Sequence, residues 1–195
     1  MIIVSHRRNT TEQLRDTAPE LGVEVDIRSC GQRLIIHHDA FADGEDFETW
    51  LGAYRHRLLI LNVKEEGLED RLIGLMQAHG IDAYFFLDQS FPFLVRTARR
   101  GESRCAVRVS EFESIDTAMT LAGKVSWIWV DCFTHFPLDG VQAKTLHDAG
   151  FRLCLVSPEL QGRDGAVEIP ALRALLQREG IVPDAVCTKE PALWR

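Results

Sequence analysis

The chain has 195 residues, with 22 Lys and Arg against 29 Asp and Glu and 46% apolar content, which suits one globular domain spanning 1–195. The net charge of −7 argues against nucleic acid as a partner, because a protein that neutralises backbone phosphates presents a basic face. No apolar run approaches the roughly 20 residues that span a bilayer, and Met1-Ile2-Ile3-Val4 meets His6-Arg7-Arg8 too early for a signal peptide, so a cytoplasmic protein is expected.

The five cysteines, Cys30, Cys105, Cys132, Cys154 and Cys187, are widely spaced, odd in number and never in a C-x-x-C pair. That pattern disfavours a disulfide framework and a zinc–thiolate site, and reads as small buried thiols.

In chain order, an apolar run at 2–5 comes first. Thr10-Thr11-Glu12-Gln13 then has the spacing of a capping box, and Gly22 is the expected stop of the helix it opens. The run at 23–28 passes through Ser29-Cys30-Gly31-Gln32 into 34–37, its expected hairpin partner. A helix is expected within 45–57. After the run at 58–63, Glu65-Glu66 begins a helix ending at Gly80, with Leu68, Leu72, Leu75 and Met76 on one face. The run at 83–87 precedes a helix at 92–100. After 105–109, Ser110-Glu111-Phe112-Glu113 reads as a second capping box, with Ile115, Ala118, Met119 and Ala122 as the apolar stripe. Runs at 127–130, 152–156 and 185–187 bring the strands to eight. Helices through Val141 and Leu146, and from Pro170 through Leu172, Leu175 and Leu176, separate the last three.

The runs are short, rich in β-branched and large apolar residues, and show little alternation, as expected of strands buried on both faces of a parallel sheet. Strand–helix alternation allows an open doubly wound sheet or a closed barrel. Eight strand signals favour closure. The open alternative needs a glycine-rich phosphate loop after the first strand, and His6-Arg7-Arg8-Asn9-Thr10 has no glycine.

In such a barrel, functional groups stand at the carboxyl ends of the strands. Here those ends carry His6 and Arg7, then Glu24, Asp26 and Arg28, then His38 and Asp39 after the hairpin, Asn62 and Lys64, Asp88, Asp131, Ser157 and Glu159, and Thr188 and Lys189. Glu24, Asp26 and Arg28 alternate with Val23, Val25 and Ile27, so one strand face carries three ionisable groups. Such a face suits the barrel interior near its mouth, either as an ion-pair network with Arg7 and Lys64 or as a site for a hard cation, Mg²⁺ or Ca²⁺. His6 and His38 suit general acid–base work, one taking a proton and the other giving one. His37 alternates away as a bystander, His56, His79 and His147 fall in helical segments, and His135 follows Asp131 as a candidate substrate contact. Arg163, in the loop after the seventh strand, is a candidate phosphate contact, and its alternative is a solvated side chain in a Pro/Gly-shaped turn. Trp127 and Trp129 read as packing residues.

The segments His6-Arg7, Asn9-Thr10, Gly22-Val23-Glu24-Val25-Asp26 and Gly31-Gln32-Arg33-Leu34 leading to His38-Asp39 resemble the start of the phospholipase C-like phosphodiesterases, closest to the glycerophosphodiester phosphodiesterases. Leu61-Asn62-Val63-Lys64 is similar to that family's third-strand E-x-K, and 184–191 to its last strand. The resemblance implies a compact TIM-type (β/α)₈ barrel with a β-hairpin insertion after strand two. It implies a hydrolase of small polyol phosphodiesters, with His6 and His38 as the acid–base pair. Arg7 and Lys64 would bind phosphate, and Glu24 and Asp26 would ligate Mg²⁺ or Ca²⁺.

The chain departs from the pattern at Asn62, where the family has a metal-ligating glutamate, so Asp88 or Asp131 would have to supply the missing charge. It departs again at Arg8, where the family has glycine, and in a shortened loop before Asn9-Thr10. Arg28, a further candidate phosphate contact, resembles the D-x-R of metal-independent phosphatidylinositol-specific phospholipases C, where arginine replaces the metal. An inactive barrel that binds a phosphorylated ligand is the remaining alternative. A chain this short leaves no room for a lid, so an open mouth and a compact substrate are expected.

Overall fold

The computed structural model describes residues 1–195. Its barrel strands are β1 (Ile2–Ser5), β2 (Gly22–Cys30), β5 (Leu59–Val63), β6 (Tyr84–Leu87), β7 (Ala106–Val109), β8 (Trp127–Val130), β9 (Arg152–Val156) and β10 (Ala185–Thr188). β1 pairs in parallel with β2 and β10, and parallel pairing continues from β2 to β5 to β6 on one side and from β10 through β9 and β8 to β7 on the other. A single bridge, Phe86 to Cys105, joins β6 to β7 and completes the ring. The expected eight-stranded barrel is therefore present. β3 (Arg33–Ile36) pairs antiparallel with the far end of β2, and β4 (Glu45–Asp46) pairs with β3, which forms the hairpin insertion expected after strand two.

Two apolar layers hold the ring. Val23, Val25, Ile27, Leu59, Leu61 and Phe86 face outward and pack beneath the helices. Val4, Leu58, Ile60, Phe85, Trp127, Cys154 and Cys187 fill the interior, with Trp127 stacked on Phe85 at 4.6 Å between ring centroids. Strand β2 adds nothing apolar to that interior, because its inward positions are Gly22, Glu24 and Asp26. Both tryptophans on β8 are buried; Trp127 packs in the interior as read from the sequence, whereas Trp129 also lines the cavity at the barrel mouth.

The helices are α1 (Thr11–Arg15), α2 (Phe47–Ala53), α3 (Glu69–Ala78), α4 (Phe91–Arg99), α5 (Ile115–Met119), α6 (Gly140–Asp148) and α7 (Gly165–Glu179), none long and apolar enough to cross a membrane. The Thr10–Gln13 capping box forms, but α1 ends at the Asp16 cap and Gly22 is not its stop. Gly22 opens β2 instead, where a Cβ would lie 2.9 Å from Val4 Cγ2 and 3.0 Å from the Leu58 carbonyl oxygen. The second expected capping box is a turn. Ser110 Oγ donates to Glu113 and accepts from the Phe112 N–H, while Ser114 caps α5 by accepting from the Asp116 N–H. Pro170 lies inside α7, which starts earlier because Asp164 accepts from the Ala166 N–H.

Candidate active site

The side chains with chemistry converge at the carboxyl end of the barrel around an open cavity of about 270 Å³, lined by His6, Arg7, Glu24, His38, Asn62, Lys64, Asp88, Arg108, Asp131, Gln161 and Lys189. Strand alternation on β2 sends Glu24 and Asp26 inward, and both are wholly buried. Glu24 accepts from the Arg7 backbone N–H at 2.7 Å and from Asn62 Nδ2 at 2.8 Å. The Asn9 amide brackets Asp26, donating to its carboxylate at 2.8 Å and accepting from its backbone N–H at 3.1 Å. Lys64 Nζ stands 3.2 Å from Asp26 and 3.2 Å from Asp88, and Arg7 Nε lies 3.5 Å from Asp26.

Two residues at the mouth, Arg7 (φ 50°) and Asp88 (φ 60°), hold the left-handed backbone conformation that non-glycine residues seldom adopt. For Arg7 that turn aims its N–H at Glu24 while its side chain reaches Asp26. Strain of this kind collects where function requires a fixed geometry.

The two histidines differ in environment. His6 is mostly buried, with Nε2 3.8 Å from Glu24, and burial together with Arg7 and Lys189 lowers its pKa to about 3, so its neutral ring is favoured. His38 sits at the rim, its Nδ1 2.8 Å from an Asp39 carboxylate that this bond holds below the usual carboxylate range. Glu24 is pushed up to about 7 by burial and by Asp26, against the bonds from Asn62 and Arg7.

Asp26, Asn62 and Glu24 supply the oxygens that a divalent cation would meet at the mouth. Asp26 Oδ1 has the Lys64 ammonium at 3.2 Å, whereas Asn62 Oδ1 is a buried oxygen without a hydrogen-bond donor, beside the Glu24 carboxylate whose charge burial disfavours. Hard oxygen donors of this kind fit Mg²⁺ or Ca²⁺, although Lys64 and Arg7 already supply positive charge at Asp26. The set is thin, because no third His, Cys, Asp or Glu joins it in a cluster. Asp88 and Asp131, the possible compensating acids, are instead taken up by Arg108, which binds both, and by Lys64 and Gln161.

No protein-family model and no curated protein sequence matches this chain. Solved structures do. An inferred glycerophosphodiester phosphodiesterase of Galdieria sulphuraria superposes with a TM-score of 0.73 at 15% identity, over 99% of this chain and 96% of that one. A glycerophosphodiester phosphodiesterase of Agrobacterium tumefaciens gives 0.68 at 15% identity, over 99% and 97%. The chain has the fold of the glycerophosphodiester phosphodiesterases. A tryptophan synthase α-subunit from Pyrococcus furiosus also superposes, at 0.53 and 11% identity over 99% and 88%, so the barrel alone does not settle an activity.

Within this phosphodiesterase-type barrel, His6, Arg7, Glu24, His38, Asn62, Lys64, Asp88 and Asp131 all reach the mouth, with Asp26 buried beneath them. Two expected phosphate contacts do not. Arg28 donates from Nε and Nη2 to the His38 carbonyl and from Nη1 to the Lys64 carbonyl, so it ties hairpin to strand end. Arg163 pairs with Glu168 and reaches the Cys132 carbonyl beside a separate small cavity that His135 also lines. The acid of that loop, Glu159, accepts from Thr188 Oγ1 and the Lys189 N–H and so fixes the end of β10.

Sequence reasoning missed Arg108 and Gln161 and gave Asn9 and Lys189 no role. Arg108 left a signal, since it interrupts the apolar run at 105–109 as Glu24 and Asp26 interrupt theirs. Asn9 lies in a loop and Gln161 ends the 3₁₀ turn Pro158–Gln161, where no periodicity marks the inward side. Arg108→Met should destabilise the fold by about 2–3 kcal/mol, below the roughly 3–5 kcal/mol of a fully buried pair because the arginine is partly exposed. Its loss strands Asp131, whose side chain is 2% exposed. Urea unfolding checks this, and an unchanged midpoint would contradict it.

Proposed function

We propose that the protein hydrolyses a small phosphodiester of a glycerol- or polyol-like alcohol. The observation that carries this reading is the pairing of two histidines in different environments with the cations Arg7, Lys64 and Lys189 around one cavity. The cations neutralise the phosphoryl oxygens, and their charge is worth most where the barrel excludes water. An adjacent hydroxyl of the polyol attacks phosphorus and gives its proton to neutral His6. The bond to the leaving alcohol breaks as His38, braced by Asp39, donates a proton to the departing oxygen. The cyclic phosphodiester so formed is opened by water with the two histidines exchanging roles.

Glu24, Asp26 and the Asn62 amide oxygen would hold Mg²⁺ or Ca²⁺ in this reading, and a bound ion would add charge neutralisation at the phosphate. Arg28 does not take the metal's place, because its guanidinium is spent on two backbone carbonyls. A second reading, a barrel that binds a phosphorylated ligand without turning it over, draws on Asn62, which leaves the site with two carboxylates.

The test is turnover of glycerophosphodiesters and of an aryl phosphodiester by the wild-type protein, with added Mg²⁺ or Ca²⁺ and with chelator. Turnover that chelator suppresses is the expected result. No turnover with any divalent ion, alongside retained binding of the substrate, would replace the enzyme by the binding barrel.

A further inference from the structure

The ring is weakest between β6 and β7. Their one bridge lies at Phe86 and Cys105, and beyond it β6 stops at Leu87 while β7 continues to Val109 with no backbone partner on that side. Arg108 spans the opening through ion pairs to Asp88 and Asp131, so side chains bridge what backbone hydrogen bonds do not. Outside this seam, between α4 and α5, lies a groove of about 630 Å³. Its apolar wall includes Leu87, Phe91, Leu94 and Phe112, and its end nearest the mouth is Leu87, Asp88 and Arg108, which line the mouth cavity as well. Phe91 is 48% and Phe112 79% exposed, and the Phe112 ring meets that of exposed Phe133 at 5.8 Å.

Two phenylalanines open to water in a groove beside a phosphate-sized cavity, Phe91 and Phe112, call for an apolar ligand group that covers them. We propose that the groove receives the apolar chain of an amphiphilic phosphodiester whose phosphate lies at Arg7 and Lys64. This rests on the phosphodiesterase reading and narrows its substrate class. Continuity decides the occupant. A molecule held by its phosphate enters the groove across Asp88 and Arg108, which suit the polar segment next to the phosphate, with Leu87 beside them beginning the apolar wall.

The test compares glycerophosphocholine with a short-chain lysophosphatidylcholine kept below its micelle concentration, which differ only by the acyl chain. The acylated compound should have a kcat/KM about tenfold higher, carried by KM, as expected for a chain seated in an apolar pocket. Thr117→Trp, which fills the groove from an exposed position on α5, and Phe112→Ser should each erase that preference and leave glycerophosphocholine turnover unchanged. Equal kcat/KM for the two compounds, or a preference that survives both variants, overturns the proposal while leaving the hydrolase reading intact. If neither compound is turned over, the hydrolase reading fails and calorimetric binding decides the groove. Tighter binding of the acylated compound, lost in Thr117→Trp, upholds it, and equal binding overturns it.

Discussion

Replacing His38 by alanine is expected to lower turnover of a glycerophosphodiester by about 10²–10⁴-fold, the usual worth of a positioned general acid or base. The loss should fall on kcat more than on KM, because in the proposed mechanism the ring serves the departing oxygen and does not hold the phosphate. The fold should be untouched. His38 is partly exposed, its side-chain bond is to its neighbour Asp39, and its anchoring to Arg28 runs through the backbone carbonyl, which alanine keeps. His6→Ala is the less clean experiment, since His6 is mostly buried against Glu24. Steady-state kinetics on His38→Ala, with a thermal melt to confirm folding, checks the assignment. Turnover within a factor of a few of wild type would remove His38 from the chemistry.

The second expectation concerns Asn62. It pairs in register with Asp26 across β2 and β5 and donates to Glu24, so it stands where a third carboxylate would complete a cation site. Asn62→Glu should tighten binding of Mg²⁺ or Ca²⁺ by about 10–100-fold, the scale on which ligand surroundings alter metal affinity. Without the ion the same change removes a donor from Glu24 and adds a charge beside two buried carboxylates, so the metal-free variant should melt below wild type. At an ion concentration about a hundredfold above its dissociation constant, binding should return about 2.7 kcal/mol. Melting curves with and without each ion read this independently of catalysis. A variant whose melting temperature responds to divalent ions no more than wild type would show that Glu24 and Asp26 do not form a cation site.

Much of this was legible in the chain. Closely spaced apolar runs give the strands, and two carboxylates alternating with valine on 23–28 could only face the barrel interior. Capping was less reliable, because a Ser-x-x-Glu spacing such as Ser110–Glu113 closes a turn as readily as it opens a helix. Gly22 resembled a helix stop and proved to be the point where β1 and the residue before β5 approach the backbone of β2.

What the sequence alone determined was therefore periodic. Strand order, the inward faces and the set of polar residues at strand ends all follow from alternation and from the parallel rule that puts those ends on one side. Which cation meets which anion was decided only by the tertiary structure. Arg28 and Arg163 carry the same charge as Arg108, yet the first two are held by nearby carbonyls and by Glu168, and only Arg108 crosses the mouth. Long side chains choose partners by distance across the barrel, between residues as remote in sequence as Asp88 and Asp131. No local pattern records that distance. The splayed β6–β7 seam, and the groove it opens, arises in the same way from how the ring closes.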